Sequence, residues 1–239
     1  MLSQMKLIIS AALVLLSSPS VEAGDNTHTE TRPITGECRG VVLNSNADVI
    51  IRQGDKASVT LSGPAEEVAN TETVVEKNRL VIRRKDEHKR WDGKSQKGVT
   101  VTVVIPVVEA ISLNGSGDLR SEGRLTGPEL TVSLAGSGDV RITADVSGSL
   151  TTSVIGSGDV HLVGRCATHS IRIAGSGDIH ADQMAAGSAT VQISGAGDVS
   201  VAASESLNAS ISGSGDVRYA GSPKQVVKHI TGSGSVARL

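Results

Sequence analysis

Gly115-Ser116-Gly117-Asp118-Leu119 decides how this chain is read, because the phrase returns six times downstream. The copies are Gly136–Val140, Gly156–Val160, Gly175–Ile179, Gly195–Val199 (Ala196 replacing serine), Gly213–Val217 and Gly232–Val236 (Ser235 replacing aspartate). The aspartates, Asp118, Asp139, Asp159, Asp178, Asp198 and Asp216, stand 18 to 21 residues apart. A period near twenty marks a solenoid, in which one repeat cannot bury its apolar face alone and needs its neighbours.

Counting back two residues from the first glycine gives Leu113, Leu134, Val154, Ile173, Ile193, Ile211 and Ile230. Two further back stand Ile111, Val132, Thr152, Ile171, Val191 and Ala209, with Ser112, Ser133, Ser153, Arg172, Gln192 and Ser210 between the two columns. Apolar and polar residues therefore alternate with period two, the signature of a half-buried strand. After the phrase the alternation resumes with an aliphatic residue and then Arg120, Arg141, His161, His180, Ser200 or Arg218. Strand, glycine corner, strand is the repeat, and stacking it in register makes an all-β chain with parallel sheets, a parallel β-helix.

The two glycines let the corner take positive φ or fold where a Cβ would clash. An aspartate there can accept hydrogen bonds from nearby amides. In-register stacking sets like charges about 4.8 Å apart, which costs roughly 1 to 3.5 kcal/mol per adjacent pair at an effective dielectric of about 20 to 80. The basic residues two positions on, Arg120, Arg141, His161, His180 and Arg218, are expected to form the compensating column.

Composition agrees with a narrow interior: 239 residues contain no Phe, one Trp and one Tyr. A rounded core usually fills volume with aromatics, whereas stacked Val, Ile and Leu fill a β-helix. The net charge of −2 gives no reason to expect nucleic acid as a partner. Met1–Ala23 reads as a secretory signal peptide, with Lys6, the apolar run Leu7–Leu16 and the small-x-small site Val21-Glu22-Ala23. No later segment is apolar enough to cross a membrane, so the chain is expected to be exported, periplasmic or at the cell surface.

Residues 24–37 are polar and predict a mobile mature N-terminus. From Cys38 strands follow one another with turn-like breaks, so 38–110 reads as irregular first coils or a cap, and 111–239 as the regular array of one domain. Asn46-Ala47-Asp48-Val49 looks like a worn copy of the corner, and Pro64–Asn70 fits one helical turn. Residues 83–97 carry seven Lys or Arg against three acids. Arg83, Arg84, Lys89, Arg90 and Trp91 form a candidate partner-binding loop, the plainer reading being a solvated connection. Cys38 and Cys166 are a candidate disulfide permitted by an oxidising compartment, the alternative being two idle thiols.

A signal peptide, Asp48-Val49 with Gly54-Asp55, a strand ending at Pro106 and the serial Gly-Ser-Gly-Asp-Val phrases together resemble a bacterial family called putative auto-transporter adhesin, head GIN domain. The resemblance covers roughly Gly40 to the C-terminus. It implies a right-handed β-helix, exported, often surface-associated, with no established catalytic residues.

Three sharper chemistries compete with a non-catalytic scaffold. Glycine-aspartate turns could take calcium, but the calcium β-roll repeat is about half as long. A polysaccharide-acting enzyme would place its carboxylate pair once, at a break in the pattern, whereas here carboxylates recur in every coil. His161 and His180, one coil apart, could share a metal or charge together near pH ~6.5. No cofactor motif appears. The expectation is therefore an adhesin-like binding module for a protein or glycan of the cell envelope, with an uncovered terminal coil able to pair edge to edge with another copy.

Overall fold

The computed structural model describes residues 27–85 and 98–239. The stretch Met1–Ala23, expected to be a signal peptide, and the loop residues Lys89, Arg90 and Trp91 lie outside the described residues. The chain is a β-solenoid of about six turns. Its alternating Val, Ile, Leu and Thr suit a pleated, half-buried surface.

One side of the solenoid stacks β8 (Ala110–Gly115), the later halves of β10 (Leu125–Gly136), β11 (Val140–Gly156), β12 (Val160–Gly175), β13 (Ile179–Gly195) and β14 (Val199–Gly213), and then β16 (Gln225–Gly232). All are parallel and in register: Leu113, Leu134, Val154, Ile173, Ile193, Ile211 and Ile230 lie one above another. A second side stacks β9 (Leu119–Ser121), the first residues of β11 to β14, β15 (Val217–Ala220) and β17 (Val236–Arg238). The inward columns of both sides are buried almost without exception until the last coil.

Both corner glycines are needed, for different reasons. Gly136 sits at φ +145°, and a Cβ there would also lie 2.0 Å from the Gly115 carbonyl oxygen. Gly138 has no such φ, yet its Cβ would lie 2.0 Å from the Gly117 oxygen. The first glycine serves backbone conformation and close approach; the second serves close approach alone.

The N-terminal part is a cap built by an excursion. β2 (Gly40–Asn44) and β3 (Asp48–Gln53) form a coil that pairs with β8 and β9. The chain then leaves, and β6 (Arg79–Arg84) and β7 (Thr100–Ile105) stack on the far side of that coil. Three antiparallel strands finish the end: β4 (Ser58–Pro64) on β7, β1 (Thr27–Arg32) on β4, and β5 (Thr71–Glu76) on β6. Between β4 and β5, α1 (Ala65–Asn70) drives a fully buried Val68 onto the core. The β5–β6 turn uses Lys77 and Asn78, both at positive φ, as a two-residue hairpin requires.

Two expectations are corrected here. Residues 27–32, expected to be mobile, form β1, whose six residues pair with β4 from Thr27↔Pro64 to Arg32↔Val59. Cys38 and Cys166 are both buried and both free. Gly40, two residues from Cys38, is separated from the Thr168–Gly175 segment of β12 by four ladder steps, through β8, β10 and β11. At ~4.8 Å per step that exceeds the ~7 Å Cα limit for a bridge.

Candidate functional site

The corner aspartates form a continuous ladder between coils. The amide of Asp118 donates to Asp48 Oδ1 at 3.1 Å, Asp139 to Asp118 at 3.0 Å, Asp159 to Asp139 at 3.4 Å and Asp178 to Asp159 at 2.9 Å. Asp198 donates to Asp178 at 2.7 Å, Asp216 to Asp198 at 2.8 Å, and Ser235 closes the series on Asp216 at 2.8 Å. In the opposite sense, the residue after each aspartate donates to the carbonyl of the next coil's corner, as Val160 does to Asp178 at 2.9 Å. Each corner is thus clipped to its neighbour in both directions.

The ladder itself offsets much of the repulsion in the charge column. An N–H bond to a carboxylate contributes about 1.5 to 3 kcal/mol, similar in size to the repulsion it must offset. The basic column contributes less uniformly than expected. Arg141 pairs with Asp139 at 2.8 Å, but Arg218 stays 3.8 and 3.9 Å from Asp216 and Asp198. His161 and His180 stack on each other, with ring centroids 4.5 Å apart and planes 20° apart. Partial burial, then the neighbouring charges of His180 and Arg141, hold His161 below its ordinary pKa.

Arg83 and Arg84 belong to the cap. Arg83 is ion-paired to Glu72 at 2.7 Å and Glu76 at 3.0 Å, and Arg84 to Glu67 of α1 at 3.0 Å. They tie β5 and α1 to β6, so the candidate loop loses two of its five residues to the scaffold.

Reading the sequence missed His169. It shares an inward column with Leu150 and Ala189 and is 1% exposed. Its Nε2 lies 3.0 Å from the Thr152 hydroxyl, its Nδ1 has no partner among the described residues, and burial pushes its pKa down to about 4. The signal was parity: His169 stands four residues before Ile173 and therefore faces inward, as Thr152 does two before Val154.

The concave feature with most chemistry lies on the connection side. Residues 126–128, 145–147 and 165–167, from three successive coils, line a groove of about 730 Å³. Pairing registers slip nearby, between Gly127 and Glu129 and between Asp145 and Ser149. Such bulges bend the strand and open the surface. Asp145 receives Arg124 on one oxygen and Arg165 at 3.0 Å on the other. One carboxylate thus serves two guanidinium groups, and the Arg165 side chain is 75% exposed. Pro128, Val146 and Ala167 supply apolar walls, and the buried Cys166 thiol below is raised to about 11 by desolvation. The remaining candidate residues, the six corner aspartates, are spent on the ladder and lie outside this groove.

These features define a class: a parallel β-solenoid with an aspartate-clipped corner, a capped N-terminal end and an irregular connection side. The chain belongs to the family described as "putative auto-transporter adhesin, head GIN domain", whose model matches residues 38–223. It is similar to a crystal structure described as a putative adhesin from Bacteroides fragilis, at 25% identity and TM-score 0.80, covering 89% of this chain and 97% of that one. A structure from Parabacteroides distasonis described as a putative lipid binding protein matches at 24% identity and TM-score 0.69, over 90% and 98% of the two chains. A putative adhesin from the same species matches at 19% identity and TM-score 0.68, again over 90% and 98%. The last two speak for the fold alone. No curated protein matches the chain.

Proposed function

We propose that this chain is an exported, non-catalytic, adhesin-like module whose connection-side groove engages a protein or glycan of the cell envelope. One observation carries the reading: the exposed Arg165 guanidinium stands beside apolar walls, sharing the Asp145 carboxylate with Arg124. A concave site with apolar walls and a few placed polar groups is the usual form of a binding site. The corner carboxylates support a non-catalytic reading, because one oxygen of each holds the next coil's amide. Membership of an adhesin family and the leader-like stretch Met1–Ala23 support export.

Surface plasmon resonance against immobilised envelope polysaccharide and envelope protein fractions tests the assignment. Wild-type binding should fall at least about tenfold in Arg165→Glu, equivalent to ~1.4 kcal/mol, and stay unchanged in Arg172→Gln, on the flat sheet. Binding that survives Arg165→Glu and fails in Arg172→Gln moves the site to the sheet face. Turnover of an acidic glycan by the purified chain would replace the binding reading with an enzymatic one.

A further inference from the structure

Two outward columns shape the connection-side groove. Thr126, Asp145, Arg165 and Ala185 lie in register on β10 to β13, and Pro128, Ser147 and Ala167 stand two residues further along the first three of those strands. Arg124 reaches Asp145 from the preceding coil and Arg165 reaches it from the following one. The cluster is layered. The Asp145 side chain is 19% exposed, whereas those of Arg124 and Arg165 are 50% and 75% exposed. The carboxylate is therefore the inner member, and a ligand arriving from solvent meets the two guanidinium groups first.

Each guanidinium carries five N–H donors in a planar fork. Holding Asp145 uses part of each fork and fixes its direction, because one oxygen takes Arg124 and the other takes Arg165. On the other side of Arg165 the register places uncharged Ala185. Two positive charges thus stand against one negative, with donors left over to face a ligand anion. The groove of about 730 Å³ has the size of a small-ligand site, about 300 to 1,000 Å³. A protein docks instead on a face of roughly 800 Å², far wider than three coils at ~4.8 Å a step. Its walls alternate small apolar groups, Gly127, Pro128 and Ala167, with the hydroxyl side chains of Thr126 and Ser147. Pro128, Ala167, Thr126 and Ser147 are all exposed, so the groove does not close round an acyl chain. A sugar ring has the matching alternation, a C–H face with hydroxyls at its rim.

We propose, resting on the binding role assigned to the groove above, that its ligand is a short acidic oligosaccharide. A ring carboxylate sits against Arg124 and Arg165, and the C–H face of the ring lies on Pro128 and Ala167. Bidentate guanidinium–carboxylate pairing selects the charged sugar.

Isothermal titration calorimetry of the full chain tests this with tetragalacturonate and tetramannuronate, two uronate chains of different linkage geometry, each against its methyl ester. At least one acid should bind about tenfold or more tightly than its ester, which keeps the rings and loses the charges. Arg165→Gln and Arg124→Gln should each remove most of that difference. Ala185→Glu sets a second carboxylate in register beside Arg165, and it should weaken the acid by a similar factor while leaving the ester unchanged. If both uronates fail to bind while Arg165-dependent capture of an envelope fraction persists, the acidic-sugar inference falls and the groove keeps another ligand. Uronate binding that survives Arg165→Gln and Ala185→Glu overturns it by placing the sugar elsewhere. Binding of monomeric oleate that Arg165→Gln abolishes, with neither uronate bound, overturns it in favour of a lipid carboxylate.

Discussion

At one end of the solenoid, β1, β4, β5 and α1 lay antiparallel strands and a buried Val68 over the first coils. At the other, β16 and β17 leave Ile230 partly exposed, and Lys228 reaches from one side of the coil to the Val236 carbonyl on the other. Among the described residues, the outermost strands at both ends pair with a neighbour on one side. The first end adds strands and a helix, whereas in the last described coil Lys228 and Arg238 stand in register with Ala209 and Tyr219.

The two regions should respond differently to the same methyl group inserted in the middle coils and in the last one. A Cβ on Gly177 would lie 2.2 Å from the Gly158 oxygen, and one on Gly234 would lie 2.2 Å from the Gly215 oxygen. The clashes match, but Gly177 is held by coils on both sides whereas the Gly234 coil is paired on one. Gly177→Ala should cost more than about 4 kcal/mol, the range reserved for changes the fold cannot absorb, and Gly234→Ala only about 1 to 2 kcal/mol, as mild overpacking does. Urea denaturation of both proteins would measure it; equal losses would mean that the last coil is as firmly held as the middle.

The two regions also differed in how far they could be read from sequence. In the array, parity around Gly-Ser-Gly-Asp places Leu113, Leu134, Val154, Ile173, Ile193 and Ile211 in one buried column, because each coil's only neighbours are its own copies. The cap offers no such constraint. Val101, Val103 and Ile105 alternate as Val49 and Ile51 do, and nothing local says that β7 stacks outside β3 before the chain returns to β8. Thr27–Arg32 is polar enough to pass for a tail, since an edge strand is held by backbone pairing more than by side-chain burial. Arg83 and Arg84 look like part of a basic loop until Glu67, Glu72 and Glu76 are seen beside them. The groove was harder still, being made by bulges in three connections whose sequences share no phrase.

Between the two ends the interior is not uniformly apolar, and pH exposes the exception. His169 is neutral in the folded chain because burial lowers its pKa from 6.5 to about 4, and His161 is shifted in the same direction. As pH falls below ~6.5 the unfolded chain takes up these protons and the folded chain does not, so stability present at neutral pH drains away until His169 itself titrates near pH ~4. The loss assignable to His169 is roughly 3 kcal/mol. His169→Leu should flatten most of that slope in melts between pH 7 and 4. A slope that survives the substitution would place the acid sensitivity elsewhere.

The smallest expected effect separates the two roles of a corner aspartate, hydrogen-bond acceptor and charge. Asp159→Asn keeps an oxygen for the Asp178 amide, 2.9 Å away in wild type, while removing one charge from a column of like charges. Asp159→Ala also removes the charge but leaves that amide without its acceptor, at a cost of about 1 to 3 kcal/mol. If the ladder is held by acceptors, Asn should be neutral or slightly stabilising and Ala should lose about 1 kcal/mol or more. Chemical denaturation at low and high salt resolves the pair: added salt should shrink the difference between wild type and Asn, which is electrostatic, and leave the step from Asn to Ala in place. At the last coil the balance shifts, because Asp216 has one carboxylate neighbour, Asp198, and receives two bonds from Ser235. Asp216→Asn gains less from relieved repulsion there, so the charge that burdens the middle of the column is nearly free at its end.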